Sequence, residues 1–243
     1  MSQSNIITTK PHGLSASYAP ISTAYLMDSL REQLVARGLG YELTTLSSKA
    51  RGKGWVQATI TDMDMQVHGD MVKPTILLRN STDGTSACQI HVGLLRLVCA
   101  NGLIAGDSVY SDRIIHRVTK DDKVGTFLRE LPSKLGYAIQ FICSGGYTQR
   151  VEELTSMTLD SEQMRLIIDS LRGDVVISEQ LQEAAKYRVY RPRRAEDTGM
   201  TLWTLYNILN EELRRSSRSA TRIAERNVRL LDQVRETALV VAA

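Results

Sequence analysis

The sequence predicts an α+β fold made of an N-terminal helix, an antiparallel β-sheet and then C-terminal helices. Three observations carry this. Leu26, Leu30 and Leu34 recur every four residues near the start. From Tyr41 to about Val118, short alternating runs are separated by turn residues. After Lys120 the apolar period becomes helical. The elements come in blocks, which argues against alternating βαβ units.

Residues 1–20 are polar and irregular and read as a flexible N-terminus. Ser22 or Thr23 can cap the first helix, which runs to about Arg37 and stops at Gly38 and Gly40. The strand runs are Tyr41–Ser47, Trp55–Met65, Thr75–Asn80, Ala87–Val98 and Arg113–Val118. Between them lie Arg51-Gly-Lys-Gly54, His68-Gly-Asp70, Ser81-Thr-Asp-Gly84 and Asn101-Gly102. Asp83-Gly84 is a hairpin signal, because both residues tolerate positive φ. Asp121 or Asp122 can cap the next helical stretch, with Pro132 and Gly145-Gly146 as dividers. Asp160 can cap another helix, in which Met164, Ile167, Ile168 and Leu171 share a face. Tyr187 to Gly199 is rich in breaks. Beyond it lie Thr201–Arg215 and an amphipathic helix from about Ser219 to Val241, with Ile223, Leu230, Leu231, Val234 and Ala238 on one side. The predicted organisation is a flexible 1–20, an α+β core 21–186, a basic linker 187–199 and a helical region 200–243.

Bulk properties bound the class. A chain of 243 residues with a hydrophobic fraction of 42% can bury a sizeable core. Its three cysteines (Cys88, Cys99 and Cys143) are odd in number and lack CxxC spacing, which argues against a disulfide framework and for a reducing compartment. Met1 to Lys10 has no apolar signal core, and no run approaches the ~18 apolar residues of a membrane span. A cytoplasmic protein without a membrane partner is expected. Net charge is only +3, but between Lys186 and Glu236 twelve Lys/Arg face seven Asp/Glu. The positive charge is concentrated at one end, as a polyanion-binding appendage would show.

Two stretches carry a family resemblance. Pro74-Thr-Ile-Leu-Leu-Arg-Asn-Ser-Thr-Asp-Gly84 leads into Leu94-Leu-Arg-Leu-Val-Cys-Ala-Asn-Gly-Leu103, with His116 beyond, and Thr201-Leu-Trp-Thr-Leu-Tyr-Asn207 follows later. From Tyr18 to Glu211 the chain resembles the uncharacterised "phage/plasmid-like protein" family of phages, plasmids and prophages. Thr82 stands where that family usually has histidine, and Ala100 where it has serine. Both departures argue against a catalytic side chain there. The resemblance implies a mobile-element origin and a host-cell setting but supplies no activity. The layout is also loosely similar to phage single-strand annealing proteins, in which a sheet packs on a long helix and subunits form rings. That is an analogy of architecture, and fold alone does not give function.

The basic residues are the main functional candidates. Arg215, Arg218, Arg222, Arg226 and Arg229 are spaced 3, 4, 4 and 3 apart, which would align them on one helical face over about 20 Å. Tyr187-Arg-Val-Tyr-Arg-Pro-Arg-Arg194 adds Arg188, Arg191, Arg193 and Arg194, with Tyr190 able to stack on a base. A second basic site, Lys49-Ala-Arg-Gly-Lys-Gly-Trp55, reads as a hairpin tip projecting Lys49, Arg51 and Lys53 beside Trp55. Arg113 and Arg117 share one strand face and could extend a phosphate track. The bland alternatives are a solvated helix with a charged linker, and a solubilising turn whose Trp55 folds into the core.

Catalytic constellations are thin. Asp62-Met-Asp64 puts two carboxylates on one strand face, a minimal Mg²⁺ arrangement with no further partner. Cys99 lies in an apolar run, which favours a buried inert thiol. His116 reads as a buried imidazole. Nucleotide-binding glycine motifs, zinc-ligand pairs and a nucleophile elbow are missing from the sequence, so no cofactor, metal or enzymatic activity is expected. The leading expectation is a sequence-tolerant single-stranded DNA-binding protein acting in phage recombination, replication or transcription. The alternatives are a non-enzymatic interaction protein acting on a host or phage complex, and a metal-dependent nuclease. The apolar C-terminus Leu239-Val-Val-Ala-Ala243 is compatible with a homo-oligomer.

Overall fold

The computed structural model describes residues 15–48, 53–67, 69–96, 105–116, 125–171, 177–216 and 220–241. Its elements are α1 (Thr23–Val35), β1 (Tyr41–Ser48), β2 (Lys53–Ile60), β3 (Met65–Val67), β4 (Asp70–Ser81), β5 (Cys88–Arg96), β6 (Ala105–Ile114), α2 (Gly125–Cys143), α3 (Gly146–Ser156), α4 (Ser161–Ser170), α5 (Glu179–Tyr190), a 3₁₀ turn (Ala195–Asp197), α6 (Leu202–Ser216) and α7 (Ala220–Val241). The α+β order of helix, antiparallel sheet and helices is therefore the observed one. The chain forms two compact units. Among the described residues no helix is long and apolar enough to cross a membrane.

The first unit comprises Met1–Asp64, Lys73–Gly93 and Ser108–Gly145. The sheet order is β1-β2-β4-β5-β6; β3 and the start of β4, which pair with each other, belong to the second unit. The β1–β2 hairpin pairs Tyr41 with Ile60 at one end and Ser48 with Lys53 at the other. β2 then pairs antiparallel with β4, from Lys53 opposite Ser81 to Thr59 opposite Thr75. The β4–β5 turn follows the Asp83-Gly84 signal: Gly84 has φ 79°, and the Asp83 carboxylate accepts from the Thr85 amide at 3.0 Å.

One face of this sheet carries Val56, Ala58, Ile60, Ile76 and Leu78, all fully buried. α1 packs on β2 and on α2 and contributes Leu26, Leu30 and Leu34 without exposed surface, each worth about 2 kcal/mol of burial. Pro132 does not divide α2, which runs through it. Leu131, Leu135, Ala138, Ile139 and Ile142 form a continuous buried stripe whose packing offsets the lost backbone hydrogen bond. The break comes at Gly145, at φ 73°. The segment before α1 is anchored as far back as Tyr18. Ala19 donates its amide to the His116 carbonyl at 3.2 Å, and His116 Nδ1 lies 3.2 Å from the Ala19 carbonyl.

The second unit comprises Met65–Val72, Leu94–Asp107 and Gly146–Ala243. α4 begins with a full capping box, in which Asp160 accepts from Gln163 N and Gln163 accepts from Asp160 N. Its face of Met164, Ile167 and Ile168 is buried. α6 is the hub. Residues 201–210 are all buried, and α6 packs on α3, α5, α7 and the 3₁₀ turn. α7 lays Leu230, Leu231, Val234 and Ala238 inward, and Arg235 reaches Glu153 at 3.3 Å.

Candidate nucleic-acid interface

Ion pairing sorts the arginines of the second unit into two groups. The stretch predicted as a basic linker is the last turn of α5 followed by a short run that folds back on α6. Arg193 binds the Glu212 carboxylate, and Arg188 Nε lies 3.7 Å from the same group. Arg194 lies 3.3 Å from Glu211 and 3.9 Å from the buried Asp197. The side chain of Glu212 is only 8% exposed, so this carboxylate requires its counter-ions. Arg188, Arg193 and Arg194 thus brace α5 and the 3₁₀ turn against α6. These three guanidiniums, predicted to pair with phosphate, are engaged in ion pairs within the fold. Arg191 remains exposed and leans on Tyr187, 5.6 Å from the ring centroid, while Tyr190 is 57% exposed.

The second group has no such partners. Arg215, Arg226 and Arg229 make no ion pair among the described residues. Arg215 and Arg229 are exposed and Arg226 is half-buried. The five-arginine stripe does not lie on one helix, because α6 ends at Ser216 and α7 begins at Ala220. Arg218 lies outside the described residues, and Arg222 sits on the first turns of α7. Even so, Arg215 from α6 and Arg226 from α7 line one open groove of about 550 Å³. The start of α5 forms its other wall, with Ser178, Gln180, Leu181 and Ala184.

Comparison with known proteins places the chain in a family. The profile described as "Domain of unknown function (DUF932)" matches residues 12–235. The chain belongs to this family. Two curated Escherichia coli (strain K12) proteins are similar to it in sequence. UPF0380 protein YafZ is 28% identical over 212 residues, covering 84% of this chain and 70% of its own length. UPF0380 protein YfjQ is 28% identical over 211 residues with the same two coverages. No solved structure matches.

In the first unit of this DUF932 chain the described residues include only part of the predicted basic site. Lys49 and Arg51 lie outside the described residues, as does Arg117, and Lys53 is known by its backbone alone as the first residue of β2. Trp55 is 1% exposed, which corrects its placement as a stacking platform at the hairpin tip. It pairs with Arg79 across β2 and β4, and the guanidinium lies 5.4 Å from the ring centroid. Arg79 Nη1 also donates to Gln89 Oε1 at 3.1 Å. Trp55, Gln57 and Thr59 alternate with the apolar face, as do Thr75 and Arg79 opposite them. This side of the sheet is thus mixed, with apolar Trp55 and Leu77 beside the buried polar Gln57, Thr59 and Thr75. Burial, then the Arg79 charge, lowers the pKa of His91 to about 4. Arg113 is exposed beside the Lys134–Asp112 pair, whose 2.8 Å contact ties α2 to β6.

Asp62 and Asp64 lie in the turn between β2 and β3, not on one strand face as predicted. Asp62 accepts from the Gly40 amide at 3.0 Å, and Asp64 pairs with Lys73 at 3.3 Å. His116 lies between Tyr18 at 5.4 Å and Phe127 at 5.6 Å, and burial lowers its pKa. Cys88 is fully buried, which pushes its thiol up to about 12; Cys99 lies outside the described residues. Sequence reasoning missed Glu211, Glu212 and Asp197 as counter-ions. The one available signal was the Glu211-Glu212 pair between Leu209 and Leu213 in a helix with a buried apolar face. For the groove-lining Ser178 and Gln180 there was none.

Proposed function

We propose that this protein binds single-stranded DNA without sequence preference, as a non-catalytic component of mobile-element recombination, replication or transcription. The observation that supports it best is the sorting of charge. Arg188, Arg193 and Arg194 are paired with Glu211 and Glu212 of α6 and with Asp197, while Arg215, Arg226 and Arg229, on neighbouring surfaces of α6 and α7, make no ion pair among the described residues. Guanidinium groups pair with phosphate in a fork geometry, and uncompensated cations along a surface are the electrostatic footprint of a polyanion site. Tyr190, exposed on α5, offers an aromatic face for a base. A salt titration of binding to single-stranded and duplex DNA of one sequence tests the reading. Log affinity for the single strand should fall with log salt at about −0.7 per phosphate contact. Salt-insensitive binding, or none, defeats it.

A second reading is a non-enzymatic interaction protein that docks on a host or phage complex or on its own copy. It draws on Leu239 and Val240, which are 53% and 78% exposed on the last turn of α7. Pull-down after nuclease digestion separates the two readings, since partners bridged by nucleic acid are lost.

A further inference from the structure

We infer that the groove between the start of α5 and the α6–α7 arginines seats one nucleotide unit of the strand, with its phosphate on Arg215 and Arg226. The inference rests on the nucleic-acid reading above and adds the place and the ligand class. Three features of the groove carry it.

The first is size. At about 550 Å³ the groove lies within the roughly 300–1,000 Å³ span of small-ligand clefts. A bare surface arginine pair would have no such concavity.

The second is charge. Glu212 is the carboxylate among the described lining residues. It is already bound by Arg193 and approached by Arg188, while Arg215 and Arg226 make no ion pair among the described residues. Arg215 and Arg226 reach the groove from different helices, and two forks from two directions suit a tetrahedral phosphate with several acceptor oxygens.

The third is the opposing wall. Ala184 and the small accessible part of Leu181, which is 3% exposed, give it a narrow apolar strip, and Gln180 lies exposed at the rim. Sugar and base can lie against the strip, and one rim amide provides little base discrimination, as sequence-tolerant binding requires. The Ser178 hydroxyl already accepts from Leu181 N, and the Ser216 hydroxyl donates to the Leu213 carbonyl. Ser178 keeps its own O–H, so the groups facing the ligand are that hydroxyl, the Gln180 amide and, as the cations, the two arginines.

The test is an NMR titration of the full chain with dTMP, thymidine, inorganic phosphate and a glutamate-rich peptide, beside binding of labelled oligo(dT). The groove predicts that dTMP shifts the Leu181 and Ala184 amides, phosphate does so more weakly, and thymidine does not. Arg226→Ala or Arg215→Ala should weaken dTMP about tenfold with melting unchanged. Arg226→Lys should recover part of the loss, because the charge returns without the fork. If oligo(dT) binds and dTMP leaves those amides unmoved, the groove is overturned and the strand reading stands. If dTMP binds there and oligo(dT) does not, the groove is a mononucleotide site and the strand reading falls. Occupation by the acidic peptide in preference to dTMP overturns the nucleotide assignment.

Discussion

Across nineteen residues of chain, the guanidinium of Arg193 is bound by the carboxylate of Glu212, a side chain only 8% exposed. Removing one partner of such a pair leaves a buried charge uncompensated, at a cost of about 3 kcal/mol. Glu212→Ala and Arg193→Ala should therefore each lower Tm by roughly 6–12 °C. Arg215→Ala and Arg226→Ala, which break no ion pair among the described residues, should leave it within about 2 °C. Thermal unfolding followed by circular dichroism measures all four.

Tryptophan emission should ignore the ligand. Both tryptophans, Trp55 and Trp203, are nearly fully buried. Acrylamide should quench them weakly, and saturating oligo(dT) should leave their intensity and wavelength unchanged. Quenching on binding would mean that Trp55 does contact bases. Trp55→Ala should cost about 3–5 kcal/mol of stability through the cavity it leaves.

Acid should destabilise the fold through His91. Its folded pKa of about 4 lies below the unfolded value of 6.5, so the unfolded chain takes up a proton first as pH falls. The stabilisation is full above pH 6.5 and is lost progressively down to about pH 4. The difference amounts to about 3 kcal/mol. His116, also lowered by burial, acts in the same direction. Urea unfolding at pH 8 and pH 5 measures the loss, and His91→Gln should flatten the pH dependence.

Thiol labelling should separate Cys88 from Cys143. Cys88 is buried, with its pKa pushed up to about 12, whereas Cys143 is exposed at the end of α2. Mass spectrometry after iodoacetamide treatment should find Cys143 modified in the native protein and Cys88 modified only after unfolding.

Strongly periodic elements were legible in the sequence. The Leu26/Leu30/Leu34 repeat, the Asp160 cap and the Asp83-Gly84 turn all appear where their chemistry requires. Weakly patterned elements were not. α5 buries only Leu181, Gln182 and Ala185, and one of its core contacts is a polar bond from Gln182 to the Ile168 carbonyl at 2.9 Å. Its apolar period is therefore faint. β6 runs Ala-Gly-Asp-Ser-Val-Tyr-Ser-Asp-Arg-Ile, too polar to read as a strand, so the predicted Arg113–Val118 run began near its true end. Clustered arginines in sequence revealed positive charge but not which charges were spent, because the partners Glu211 and Glu212 lie about twenty residues away. Only the fold separates braces from free cations.

Under the proposed function Arg215, Arg226 and Arg229 hold phosphate, while Arg193 and Arg194 hold the fold. Fluorescence anisotropy of labelled oligo(dT) across a salt series, with wild type and the Arg215→Ala/Arg226→Ala/Arg229→Ala triple variant, tests it most directly. The account predicts an affinity lower by about a hundredfold, a salt slope shallower by about 2, and unchanged melting. Equal affinity and an equal slope in the two proteins would contradict it.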